Sequence, residues 1–152
     1  MAYWLFSTEP DSYPWQKVER EKQVRWDGIR GAAAQKHMRG IQPGDLLLAY
    51  HSAPEKAVVG IAKAVSRSYS EPGVPDEEKD KWHVIDVAWD RWLPNPVTLR
   101  TMRQTPALAK MKFVILPRLS VSPVTPAEWE TIISLSKLPS PLLSPRRLRG
   151  EG

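Results

Sequence analysis

Apolar residues along the chain fall into short blocks separated by polar, breaker-rich stretches. Tyr3 to Phe6 reads as a short aromatic-rich strand, and Ser12 with Pro14 just beyond it predicts a helix to about Arg20. Val24-Arg25-Trp26-Asp27 forms a second extended piece. Alanine-rich residues 32–38 favour a helix that Gly40 is placed to end. Pro43-Gly44-Asp45 turns the chain into the apolar strand Leu46 to Tyr50, and Ala57 to Val65 follows after a short loop, so the two read as a hairpin. Residues 70–81, from Ser70 to Lys81, are polar and rich in proline, glycine and acids, hence a loop. Trp82 to Trp92 then alternates, with Ile85, Val87 and Trp89 on one side and Asp86, Ala88 and Asp90 on the other. Two short helical turns, Thr98 to Met102 and Pro106 to Met111, precede Phe113-Val114-Ile115 and Arg118-Leu119-Ser120-Val121. Thr125-Pro126-Ala127-Glu128 is a capping box with proline at the first helical position, and it introduces a helix to about Leu135. Strands broken by short helices, with no internal repeat, predict an α+β chain: a small mixed β-barrel flanked by short helices.

Composition narrows the setting. The 152 residues suit one domain, expected over 1–138, followed by a basic Pro/Ser-rich tail over 139–152 that carries Arg146, Arg147 and Arg149 and is expected to be mobile. Hydrophobic residues at 41% and charged residues at 26% are ordinary globular values, which exclude a wholly disordered chain. No apolar run approaches a membrane span, so no membrane partner is expected. Absence of cysteine removes disulfides and thiolate metal sites, and a reducing cytoplasm is the simplest expected location. The net charge of +5 is compatible with a polyanionic partner.

The candidate chemistry is that of binding. Tyr50-His51-Ser52 closes an apolar strand with an aromatic ring, an imidazole and a hydroxyl, while Trp26-Asp27-Gly28-Ile29-Arg30 sets a second aromatic beside a charge pair. Together they suggest a pocket for a flat, polar ring. Of the seven tryptophans, Trp4, Trp89, Trp92 and Trp129 read as core or lid residues. Trp26 and Trp82 stand beside polar residues at segment edges and are candidates to stack on a ligand. Ser52 lacks a nucleophile elbow and neighbours His51 on one strand, so the pair points to opposite faces rather than to a catalytic couple. His37, His51 and His83 form no ligand-spaced cluster, and Gly28-Ile29-Arg30-Gly31 is no phosphate loop; neither metal nor other cofactor is expected.

Tyr3-Trp4-Leu5-Phe6-Ser7-Thr8-Glu9-Pro10, Trp26 to Arg30, Gly44-Asp45, Tyr50 to Ser52, Val59-Gly60-Ile61-Ala62, and Arg118 to Val121 with Pro123-Val124-Thr125 appear in an order and spacing that closely resemble the EVE domain family. The resemblance runs from about Tyr3 to Leu135 and points to its small bacterial members. It implies a PUA-like curved barrel, related to YTH domains, and a non-catalytic module that recognises a modified base in nucleic acid. The base implied is a modified cytosine such as 5-methylcytosine, in DNA more than in RNA. Carried over position by position, the ligand-binding residues would be Thr8, Glu9, Trp26, Asp27, Arg30, Tyr50, His51, Ser52, Arg118, Leu119 and Ser120, with Trp82 added from its setting. Two departures stand out: Ser7-Thr8 where the family has Lys-Ser, and Gly31-Ala32-Ala33-Ala34-Gln35-Lys36 in place of an amide-, tyrosine- and arginine-bearing run. The alternatives are a reader of modified bases in RNA and a domain that binds or acts on a free nucleobase or nucleoside. The free-nucleoside domain would not need the basic surface.

Overall fold

The structure is a computed structural model, and it describes residues 1–8, 14–78 and 80–138. Glu9, Ser12 and the tail over 139–152 lie outside the described residues. Seven strands form one mixed sheet: β1 (Tyr3–Thr8), β2 (Gln23–Trp26), β3 (Leu46–His51), β4 (Ala57–Ala64), β5 (Tyr69–Ser70), β6 (His83–Thr98) and β7 (Val121–Val124). Their order is β2-β6-β4-β3-β1-β7, with β5 pairing β6 off this path. Among the described residues the β1–β3 contact is parallel and the other pairings are antiparallel. Among the described residues five α-helices accompany the sheet: α1 (Trp15–Glu21), α2 (Ala32–Met38), α3 (Leu99–Gln104), α4 (Lys112–Ile115) and α5 (Pro126–Ser136). Among the described residues no helix is long and apolar enough to cross a membrane.

Alternation along the strands divides the interior into two cores. Phe6, Leu47, Ala49, Val59 and Ala62 face α1 and α2, together with Trp15, Trp26 and Met38. Leu5, Leu48, Tyr50, Val58 and Ile61 face the opposite side, where Met102, Phe113 and Trp129 of α3, α4 and α5 cover them. Because residues two apart share a face, one sheet carries a helical layer on each side.

The expected barrel does not close. β2 and β7 are the two ends of the strand order and do not pair. The sheet curls so that α2 packs against both β6 and β7, and a helix rather than a ladder spans that side. β6 also runs past Trp92, where the alternation ends in sequence. Between the Gly60–Trp92 and Val58–Val97 pairs, β4 advances two residues and β6 five. Pro94 and Pro96 fall in that irregular stretch, where a missing N–H costs no ladder bond. At the expected 70–81 loop stand the short β5, which begins at Tyr69, and a 3-10 turn, Asp76–Glu78.

The N-terminal strand is tied down by Asp45. This buried carboxylate accepts from Ala2 N–H at 3.0 Å, Trp4 Nε1–H at 3.0 Å and Gln42 N–H at 2.9 Å. Burial opposes its ionisation, yet those three donors outweigh the burial and hold its pKa below the ordinary value.

Candidate functional site

The parallel pairing of β1 and β3 sets Thr8 opposite His51 at their C-terminal ends. Ser52 N–H then donates to Thr8 O at 2.9 Å, closing that rim. His51 is 2% exposed. Its Nε2 accepts from Trp15 N–H at 3.0 Å, which assigns the ring proton to Nδ1, and Nδ1 meets Glu55 Oε1 at 2.7 Å. Both ring nitrogens are therefore engaged in joining α1, β3 and the β3–β4 loop. His51 has no nitrogen left to read a ligand edge or to take a proton from Ser52.

Trp15 reaches this position because β4 offers no side chain at Gly60. A Cβ there would overlap the Trp15 indole, lying 2.6 Å from its Cε2, and would also sit 2.7 Å from Arg91 O. The indole is fully buried across the strand backbone, with Nε1–H directed at Arg91 O at 3.4 Å. Glycine in this strand is thus a close-approach residue.

Tyr50 lies on the other face. It is 3% exposed and packs edge-on against Phe113 with ring centroids 4.6 Å apart, in the core beneath α3 and α4. Burial pushes its phenol up to about 12. The strand alternation that directs His51 towards Trp15 directs Tyr50 away from it, so the expected Tyr50–His51 pairing around one ring is not formed.

Trp26 and Trp82, both candidates to stack on a ligand, differ in placement. Trp26 is 5% exposed and meets Phe6 edge-on at 4.3 Å in the first core, leaving no open face on which a base could stack. Trp82, half-buried just before β6, lines an open pocket of about 250 Å3 with Arg30, Ala32, Gln35, Arg39, Asp80 and Lys81. Its Nε1–H donates to Glu78 at 2.9 Å. The Arg30 guanidinium lies 4.8 Å and the Lys81 ammonium 5.0 Å from its ring centre.

Local structure makes this pocket firm on one side. Beyond Trp26 and Asp27, Gly28 turns the chain at φ +77°, a conformation suited to glycine. Glu71 receives Arg30 through both oxygens, at 3.0 and 2.7 Å, and Gly28 N–H at 3.4 Å. The Arg30 hydrogen bond holds the Glu71 carboxyl below the usual range, and Glu71 in turn raises Arg30. From α2, the buried Gln35 amide donates to Ile29 O at 2.8 Å and His83 O at 3.1 Å, and its oxygen accepts His83 N–H at 2.9 Å. Arg39 donates to the carbonyls of Asp80 and Lys81 at 2.8 and 3.1 Å. Burial, followed by Arg39, lowers the His83 pKa, which keeps that ring neutral near pH 7.

The anticipated residues thus separate into three groups. Trp26, Asp27, Arg30 and Trp82 gather about the β2–α2 loop and the start of β6. Thr8, His51 and Ser52 form the rim of β1 and β3. Arg118, Leu119 and Ser120 precede β7, where Ser120 O accepts Ser7 N–H at 2.8 Å; exposed Arg118 joins Ile115 and Leu116 around an apolar hollow of about 390 Å3. Among the other tryptophans, Trp92 departs from the core reading: it is 37% exposed, and its Nε1–H donates to Glu19 at 3.0 Å. Sequence reasoning missed Trp15, Glu55, Glu71, Gln35 and Arg39. Glu55 stands four residues after His51, and Gln35 shares the inward stripe of α2 with Met38, but Glu71 has no local signal. Among the described residues no group of three or more His, Asp or Glu could hold a metal ion.

The model of the EVE domain family matches residues 2–135. Thymocyte nuclear protein 1 of Danio rerio is 26% identical over 167 residues, covering 87% of this chain and 71% of that protein. A solved structure from Rhodopseudomonas palustris is 33% identical, with a TM-score of 0.84 over 92% of this chain and 96% of that one. Human THYN1 protein, solved in complex with 5-methylcytosine-containing DNA, is 22% identical with a TM-score of 0.82, covering 92% of this chain and 100% of that one.

Proposed function

The chain belongs to the EVE domain family, and from this premise and the Trp82 pocket we propose a non-catalytic module that binds nucleic acid carrying a modified base, with 5-methylcytosine in DNA as the preferred ligand. The carrying observation is the half-exposed indole of Trp82 set between two cations of unequal freedom. Arg30 is anchored by Glu71. Lys81 is exposed and has no ion-pair partner among the described residues. An unstacked base takes the place of the Lys81 ammonium against the indole, and the displaced ammonium meets the adjoining phosphate. Arg39 and Arg30 supply further positive charge around the same opening.

A pocket of about 250 Å3 falls just below the roughly 300–1,000 Å3 range of drug-sized ligand sites, which suits a single ring with its substituent. Stacking contributes about 1–3 kcal/mol. One buried methyl adds only about 0.8 kcal/mol, so discrimination between cytosine and 5-methylcytosine is modest and most affinity comes from phosphate contacts. The bound DNA of the human relative, in a protein of the same fold, supports the choice of ligand. The engagement of both His51 nitrogens supports binding over catalysis, because the neighbouring Ser52 has no base.

The test is equilibrium binding of fluorescent duplexes that differ only in one 5-methyl group. The native protein should prefer the methylated duplex, and Trp82→Ala should weaken binding by about 5- to 150-fold, the equivalent of 1–3 kcal/mol. Unchanged affinity in Trp82→Ala would remove the pocket from the account. Salt-insensitive binding of the free nucleoside, with no gain from the polymer, would favour the small-molecule reading instead.

A further inference from the structure

A second basic cleft lies at the opposite end of β6. It has a volume of about 560 Å3 and lies between the β3–β4 loop and α3, with Lys56, Arg100 and Arg103 around a floor that includes Pro54 and Leu99. Among the described residues none of these three cations has an ion-pair partner. The acid among the described lining residues is Glu55, whose carboxylate already receives His51 Nδ1 at 2.7 Å.

The backbone that presents Lys56 is unusual. Lys56 has φ +51°, a left-handed conformation that residues other than glycine, asparagine and aspartate rarely adopt. It is held there from two sides: Leu99 N–H donates to Lys56 O at 2.8 Å, and Lys56 N–H donates to Ser52 O at 3.4 Å. That geometry fixes the lysine at the edge of the cleft, beside Arg100 and Arg103.

We propose that this cleft holds the phosphodiester backbone of the bound nucleic acid, away from the base. The inference rests on the nucleic-acid reading given above. The cations stand on two elements around an open hollow without the half-exposed indole of the Trp82 pocket, which fits a run of phosphates better than a ring. β4 pairs with β6 from Ala64 to Ala57 between the two sites; at about 3.3 Å per residue this ladder is about 23 Å long, and Trp82 lies before its Val87 end. A single nucleotide cannot reach both.

The test uses the full chain and two variants, Lys56→Gly and Arg100→Gln/Arg103→Gln, against a 20-base-pair duplex with one 5-methylcytosine and its unmethylated twin. Lys56→Gly removes a charge and relieves the backbone, so its melting temperature should hold or rise. With either variant the slope of log affinity against log salt should become shallower by about 0.9 for each phosphate that is no longer neutralised. The ratio of affinities for the two duplexes should not change. Native slopes in both variants would overturn the assignment, and so would a fall in the methyl preference, which would place the cleft in base recognition. Failure of the base-binding reading is distinguished by the native protein itself: no methyl preference refutes that reading, while the slopes still decide the cleft. No binding to either duplex overturns both.

Discussion

The passage of Trp15 across Gly60 yields a prediction that a double-mutant cycle can measure. Gly60→Ala introduces a methyl against the Trp15 indole on one side and Arg91 O, at 2.7 Å, on the other. Neither neighbour is the loose end of a flexible side chain. Overpacking of a tight interior costs about 1–3 kcal/mol, and the rigidity of this site puts the variant near 3. Trp15 is fully buried, so Trp15→Ala should cost about 3–5 kcal/mol through the loss of burial and the cavity left behind. Once the indole is gone the new methyl occupies part of that cavity, and only the crowding at Arg91 O persists. The double variant should therefore be more stable than the sum of the singles by about 2 kcal/mol, well outside the 0.3–0.5 kcal/mol scatter of independent sites. Urea unfolding followed by far-ultraviolet circular dichroism reads each corner of the cycle at constant m-value. Additive losses would refute the idea that this strand glycine exists to admit Trp15. They would also detach α1 from the reasoning that fixes the His51 rim.

Three further outcomes follow from named contacts. Asp45→Ala should destabilise the fold by about 3 kcal/mol, because the Ala2, Trp4 and Gln42 donors lose their acceptor. Since the folded-state pKa of Asp45 is depressed, its contribution is complete above the unfolded value near 3.9 and disappears as pH falls through the lower folded value; acid titration of stability should lose that component in Asp45→Asn. Glu71→Gln should release Arg30 from its bidentate hold and weaken methylated-DNA binding several-fold with little change in melting temperature, since the Arg30 side chain is 46% exposed and such a pair is screened by solvent; native affinity would show that the clamp does not position the pocket. Trp26→Ala should lower stability by about 3–5 kcal/mol, as expected for a core indole, whereas Trp82→Ala should affect binding far more than folding; calorimetric melts of the two variants decide between these assignments.

Local determinants were readable from the residues alone. Thr125 and Glu128 make both bonds of the capping box at the start of α5, with Glu128 N–H to Thr125 Oγ1 at 3.1 Å and Thr125 N–H to Glu128 Oε1 at 3.0 Å. The alanine-rich run gives α2 over Ala32–Met38 as expected, and the β3–β4 hairpin forms where a turn separates two apolar runs. Long-range geometry was not readable. Whether β2 meets β7 depends on how far the sheet curls and on α2 filling that side, neither of which any local pattern encodes. The same limit explains the tryptophans: an indole at a segment edge looks alike whether the curl turns it inwards, as with Trp26 on Phe6, or leaves it at the surface, as with Trp82. Strand alternation, read for His51 and Ser52, applies equally to Tyr50, whose ring belongs to the other core while His51 meets Trp15. Glu71 escaped because its partners Arg30 and Gly28 lie more than forty residues earlier.

In the proposed complex a modified base rests on Trp82. Its most direct test is a nuclear magnetic resonance titration of the 15N-labelled protein, with the Trp82 indole Nε1–H assigned by its loss in Trp82→Phe. Addition of duplex containing 5-methylcytosine should shift that indole signal together with the backbone amides of Arg30 and Lys81. Saturation should come at a lower DNA concentration than with the unmethylated duplex. An unmoved Trp82 indole at saturating DNA, with shifts confined to other surfaces, would contradict the account.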